Sequence, residues 1–188
     1  MQIKGNPMTR DHISEVAWKL RQLLGLVESP WVDVIDLIER KIPELFGDEI
    51  SVQIMPVEDM GSDHGRTIPD EGKMYIREDV YLGAIDGSGR DRATIVHEIG
   101  HFIFHSNLHI SFARIVGDNV RLQPFKDPEW QAKAFAGEFL VPRYLTQHMS
   151  VDEIMDKCGV SFDSATIQWR KMHKGVMLME KDNKNTEQ

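Results

Sequence analysis

Residues 97–101 read His-Glu-Ile-Gly-His, and this is where the chain carries metal chemistry in its spacing. On a helix, side chains four residues apart leave the same face, so His97 and His101 can reach one ion. Zinc takes nitrogen ligands at about 2.0–2.1 Å, a demand that histidines one helical turn apart can meet. Glu98 stands about 100° round from His97, where its carboxylate can reach a water on the metal instead of the metal itself, as a general base must. Random placement would produce the pattern in roughly one sequence in forty of this composition. Ile95, Ile99, Phe102 and Ile103 add weight, because they give the same helix an apolar face that a chance surface match would not need.

A third ligand has to be found. His105 continues the series, but positions 97 to 105 span about 12 Å of straight helix, too far for one ion. His101 with His105 would place Phe102 where the base belongs, so His105 is expected to be structural or supporting. Downstream, Asp127-Pro128 opens a helix that Pro142 closes, and this helix holds Glu129 and Glu138. At about 100° per residue, Ala136 and Leu140 fall within about 20° of Glu129, whereas Glu138 falls about 180° away. Glu129 is therefore expected on the packed side and Glu138 toward solvent. A lone carboxylate on a packed face is costly unless paired or bound to metal, and small Ala132 and Ala136 would let the two helices approach closely. The plainer alternative makes Glu129 a first-turn acid favoured by the helix dipole. Two histidines and Glu129 would complete a catalytic zinc site with a position open to water.

The surrounding elements must hold these groups. Ile13, Val16, Ala17, Leu20 and Leu24 recur at helical steps between Thr9 and Leu24. A second helix is expected with Pro30 in its first turn, Val34, Leu37 and Ile38 as its stripe, and Pro43 interrupting it. Glu49 to Met55 and Lys73 to Arg77 read as strands of a small sheet, with 59–72 as loop between them. Lys73 to Arg77 is expected at the sheet edge beside the metal, where a substrate could pair with it. Arg90 to Phe104 reads as the active-site helix, followed by a loop-rich stretch to Lys126.

The formal net charge of -8 argues against broad nucleic-acid binding, and the first ten residues lack the apolar core of a signal peptide. No run approaches the roughly 18 apolar residues of a membrane span, so a soluble cytoplasmic protein is expected. Cys158 is the single cysteine and cannot form an internal disulfide; it reads as a core thiol.

The stretches RDRATIVHEIGHFIFH (90–105) and EWQAKAFAGEFLVP (129–142) together resemble the ImmA/IrrE metallopeptidases. The resemblance covers most of the chain, with Val141 where Met is common and Ala93 where an aromatic is common. It implies His97, His101 and Glu129 as zinc ligands and Glu98 as the catalytic glutamate. It also implies a bacterial or phage regulatory endopeptidase that cleaves a repressor or related transcription factor. Some members carry a separate N-terminal DNA-binding domain, for which this chain has no room.

The fold class expected is α+β: a zincin-like core with a small sheet, the HExxH helix and flanking helices, and a C-terminal helical hairpin. The divisions expected are a peptidase domain at 1–145, a helix-turn-helix-like hairpin at 146–178 and a disordered tail at 179–188. Within the hairpin a helix to Cys158, a Gly159-Val160-Ser161 turn and a helix with Trp169, Arg170 and Lys171 suggest a DNA-binding regulator as the competing class. Asp163 would face phosphates and positive charge is sparse, so direct nucleic-acid binding is not expected. A packing hairpin with Trp169 in the core, or a surface of Arg170, Lys171 and Lys174 beside Trp169 that docks a protein substrate, suits these residues better. Besides zinc, the oxyanion stabiliser is left open among His105, His109 and Tyr144.

Overall fold

A computed structural model describes residues 8–106 and 127–174 of the chain. The loop-rich stretch expected before Lys126, with His109 in it, and the expected tail at 179–188 lie outside the described residues. What is described is a mixed α+β structure, mostly helical, with a small three-stranded sheet.

Helix α1 (Arg10–Leu23) starts at Thr9, whose hydroxyl accepts the His12 N–H at 3.2 Å, and buries Ile13, Val16, Ala17 and Leu20 as the periodicity predicts. The second helical run, α2, covers 34–46. It begins later than Pro30, because Asp33 Oδ1 accepts both the Ile35 and the Asp36 N–H at 3.0 Å and fixes the start there. Pro43 does not end it. Ahead of the proline the turn widens over Leu37–Lys41, with the Ile42 N–H bonded to the Leu37 carbonyl, and makes room for a ring that would press on the carbonyl four residues back.

Strand β1 (Ser51–Met55) leads through the short helix α3 (Val57–Met60) to β2 (Gly65–Ile68), and β3 (Lys73–Arg77) follows. The sheet order is β1-β3-β2. β3 runs parallel to β1, with Gln53 opposite Tyr75, and antiparallel to β2, with Arg66 opposite Tyr75. Lys73 to Arg77 is therefore the central strand, not the edge: both its sides are already paired, so no substrate strand can add to it. The edge nearest the active-site helix is β2, within the stretch expected as loop. Met74 and Ile76 are fully buried, which is what central position demands.

β3 passes directly into α4 (Glu78–Ile85), a helix with no side-chain cap to announce it in the sequence. Helix α5 (Gly89–His105) follows, then α6 (Pro128–Leu140), with Asp127 Oδ1 accepting the Glu129 N–H at 3.0 Å. Ile95, Ile99, Phe102 and Ile103 of α5 are buried in the main core. α5 and α6 meet at Gly100, where a Cβ would lie 3.1 Å from the Ala132 Cα, so only small residues allow this contact. Short α7 (Arg143–Thr146) precedes α8 (Val151–Cys158) and α9 (Phe162–Met172), joined through Gly159 at φ 62°, a left-handed conformation suited to glycine. Cys158 is fully buried, and burial pushes its thiol up to about 11, as an inert core thiol requires.

Two buried arginines tie these parts together. Arg21 donates to the Phe139 carbonyl at 2.8 Å, the Leu26 carbonyl at 2.7 Å and the Ser29 carbonyl, joining α1 to the end of α6. Arg92, on α5, donates to Gly159 at 2.8 Å, Val32 at 2.9 Å and Cys158 at 3.3 Å, all carbonyls, with its guanidinium 3.8 Å from the Trp31 ring centre. Truncating either leaves carbonyls buried without donors. Arg92→Met is expected to lower stability by about 3 kcal/mol in urea denaturation, since three acceptors lose their partner at once. A loss below about 1 kcal/mol would mean the carbonyls find water instead.

Candidate metal and catalytic site

The two histidines leave α5 on one face and Glu129 reaches them from the first turn of α6. His97 Nε2 and His101 Nε2 are 3.0 Å apart, Glu129 Oε2 is 3.3 Å from the first, and Glu129 Oε1 is 3.2 Å from the second. The rings stand nearly at right angles, 83°, with centres 4.6 Å apart. One ligand atom from each of the three residues lies within 4.8 Å of the others, close enough for all three to reach a single ion. Two imidazole nitrogens and a carboxylate facing one another are a donor set that a divalent metal ion takes, so these residues fit a metal.

Burial tunes the histidines in the same sense. Both side chains are largely enclosed, and loss of solvent pushes His97 below its ordinary value, with the nearby Lys133 cation adding to the effect and Glu129 opposing it. His101 falls to about 4 through burial and then through the neighbouring His97. Neutral imidazole is the ligand form.

Glu129 is not where helical phase placed it. Its side chain is 61% exposed, and Glu138 is half-buried against α1, accepting from Ser14 Oγ at 3.3 Å. Phase discriminates poorly here because α6 is buried around most of its girth, from Gln131 through Ala132, Ala134, Phe135 and Ala136 to Phe139. The first turn projects beyond the packed region, and from there Glu129 meets the histidines.

Glu98 is 6% exposed beside the triad. Thr67 Oγ1, on β2, donates to its Oε2 at 2.7 Å and lies 3.2 Å from its carbonyl oxygen. Gly65 lets the same strand press against it: a Cβ there would sit 2.6 Å from Glu98 Cγ. Burial raises the Glu98 carboxyl to about 7 against the lowering effect of the Thr67 hydrogen bond, and Glu129 and Asp63 raise it further. Neither Thr67 nor Gly65 was singled out in the sequence, since both fell in a stretch read as loop; the β-branched pair Thr67-Ile68 was the available signal.

His64, also missed, lines the cleft at the triad. Arg90 Nη2 can only donate, so the His64 Nε2 2.9 Å away accepts, and Nδ1 carries the proton toward the Ser62 carbonyl at 3.1 Å. Of the other named histidines, His105 lies one turn beyond the pair, its ring centre 5.7 Å from that of His101. Tyr144 stands away from the cleft, in a hollow with Trp18 and Arg143 where its hydroxyl accepts from Arg21 Nε at 3.3 Å, so it is no oxyanion donor. The hairpin surface also differs from expectation. Arg170 and Lys174 are exposed, but Lys171 turns into the cleft and Trp169 packs on the core, stacked on His173 at 4.3 Å. Among the described residues, no helix is long and apolar enough to cross a membrane.

Comparison with known proteins adds a family. The M78 peptidase model, described as an IrrE N-terminal-like domain, matches residues 48–169. A solved Mycobacterium tuberculosis transcriptional regulator has a similar fold, with a TM-score of 0.52 and 19% identity over 82% of this chain and 45% of its own. This chain thus spans less than half the length of that structure. No protein of curated function matches.

Two predictions follow from the geometry. Glu129→Ala and His97→Ala should each lose bound metal in elemental analysis while Glu138→Ala keeps it; metal retained by Glu129→Ala would remove that residue from the ligand set. The second concerns pH in the metal-free protein. Folding holds a proton on Glu98 up to about 7 against an ordinary 4.5, so its contribution is present below that window and lost as pH rises through 7. Glu98→Gln, which cannot ionise, should therefore melt higher than the parent at pH 8 and gain less at pH 5. An equal gain at both values would show that Glu98 ionises freely.

Proposed function

We propose, from the premise that this chain belongs to the M78 peptidase family of the IrrE N-terminal-like domain, that it is a zinc-dependent endopeptidase with a zincin-like core. It would act in the cytoplasm on a protein substrate, a transcriptional repressor or related factor, in regulatory cleavage. The observation that carries the reading is the placement of Glu98: a site that only binds metal needs no base, yet here a buried carboxylate is held against the triad by Thr67 and Gly65.

His97, His101 and Glu129 would hold the zinc, which when bound supplies a Lewis acid that lowers the pKa of water and polarises a peptide carbonyl. Glu98 takes the proton from the attacking water at its free carboxylate oxygen Oε1 and delivers it to the leaving amide nitrogen. Thr67 holds the other oxygen, Oε2, which fixes the orientation of the carboxylate. Burial keeps bulk water from competing for the same proton. β2, as the free edge beside Glu98, offers backbone groups against which an extended substrate can lie.

A regulator acting by binding, through α8 and α9, is the second reading, and the similarity in fold to a transcriptional regulator is what favours it. The inward turn of Lys171 and the packed Trp169 leave that surface little cation to offer a nucleic acid.

Glu98→Gln should retain about one zinc per chain and lose at least roughly a hundredfold in kcat/KM on a cleaved protein, the usual contribution of a general base. Thr67→Val should lower kcat about tenfold with KM nearly unchanged, because it orients the base without touching substrate. Cleavage by Glu98→Gln at the parental rate would sink the mechanism.

A further inference from the structure

Among the described residues, the cleft beyond the triad, about 930 Å³ in all, runs along α6 toward α9. Its lining residues from α5 are Arg90, Ala93, Thr94, His97 and Glu98, none past Glu98, and it runs on along α6 to the turn before α9 and the inner side of α9. Ala93, Leu140, Val141 and Val160 give this arm an apolar floor.

Around the floor stand four cations, Arg10, Arg90, Lys133 and Lys171. The chain as a whole has 22 basic residues against 30 acidic ones, so their gathering here runs against composition. Of the acids that line the cleft, Glu98 and Glu129 belong to the site, and Asp63 is held by Arg66 at 2.6 Å. Among the described residues none of the four cations forms a salt bridge. Arg90 Nη2 lies 2.9 Å from His64 Nε2, and Arg10 lies 5.7 Å from the Trp130 ring centre. Burial and then repulsion from Arg10 push the Lys171 ammonium below its ordinary value, with Glu138 offsetting this in part. A carboxylate between Arg10 and Lys171 would relieve that repulsion.

We propose that this arm is a specificity subsite for an acidic stretch of the substrate, whose carboxylates on one side of the scissile bond are read by Arg10, Arg90, Lys133 and Lys171 while an apolar side chain rests on the floor. The inference rests on the peptidase reading above. Charge complementarity selects the partner: the rim is cationic, the floor is apolar and no aromatic platform for stacked bases lies along it beyond Trp130, which Arg10 already covers.

The test is cleavage of a random peptide library by the zinc-loaded protein, with cut sites read by mass spectrometry. Asp and Glu should be enriched on one side of the cut and not on the other. No cleavage of any peptide would overturn the peptidase reading and this inference with it; cleavage without acidic enrichment would overturn this inference alone. For a matched pair of peptides carrying Asp or Lys at the enriched positions, the acidic one should be preferred at least about tenfold in kcat/KM, and raising salt should shrink the difference. Arg10→Glu with Lys171→Glu should invert the preference through KM, with kcat on a neutral peptide and zinc content little changed. Lys133→Gln, a milder change at an exposed position, should lose part of the preference if the double variant folds poorly. An unchanged preference in folded variants would remove these residues from recognition. A mixed-sequence single-stranded oligonucleotide that inhibits cleavage more strongly than the acidic peptide binds would assign the cations to nucleic acid and overturn the proposal.

Discussion

The structure depends on one local arrangement, the meeting of two imidazole nitrogens 3.0 Å apart with the two oxygens of one carboxylate, one oxygen 3.2–3.3 Å from each nitrogen. The carboxylate can accept from an imidazole N–H, and the same atoms are a donor set that a metal ion would join. For this to happen, α5 and α6 must approach until backbone nearly touches backbone, which Gly100 and Ala132 permit. The apolar rings of Phe102, Phe135 and Phe139 then fill the space on the other side of the contact. The metal triad and the core are thus two sides of one helix crossing.

Burial acts on the site in two opposite senses. It drives His97 and His101 toward the neutral form, which is the ligating one, and drives Glu98 toward the protonated form, which is not the base. A dication in the triad adds a positive charge beside Glu98 and favours its ionised state. The same enclosure therefore favours neutral imidazoles at His97 and His101 and opposes ionisation of Glu98. Thr67 contributes on the ionised side, since its hydroxyl donates to the carboxylate. The sheet has little else to do with the chemistry: β1 and β3 support β2, and β2 carries both Gly65 and Thr67 to Glu98.

The parts that were legible in the sequence are those set by local rules. The histidine spacing, the apolar stripe of α5, the Asp127-Pro128 start of α6 and the core side of α1 all follow from helical periodicity and capping, and the structure keeps them. Strand order was not legible, because Lys73 to Arg77 has the same composition at an edge as in the centre and only pairing decides. β2 was hidden by the glycines and aspartates around it, although those residues make the close approach to Glu98 feasible. Glu129 was chosen for the wrong reason: it lies on an exposed first turn and reaches the histidines by extension, whereas phase predicted burial. Pro43 misled in the opposite way, since a widened turn several residues earlier absorbs it.

The α8–α9 hairpin shows how a motif's appearance and its use diverge. As sequence it has the length and turn of a helix-turn-helix, with little positive charge for a nucleic acid. In the fold its turn carbonyls at Cys158 and Gly159 are taken by Arg92 of α5, so the turn is anchored to the helix that carries His97 and His101. Gln168 of α9 lies so close to Gly137 of α6 that a Cβ there would come within 1.9 Å of its amide nitrogen. Val160, Ser161, Ser164, Ile167 and Lys171 consequently face the cleft and form its far wall. A helix pair held this way cannot turn its inner face to a duplex without breaking a buried guanidinium's bonds, each of which would leave a carbonyl unsatisfied. The energy that fixes the hairpin is therefore the same energy that shapes the cleft, and the chain's C-terminal helices belong to the wall of the site.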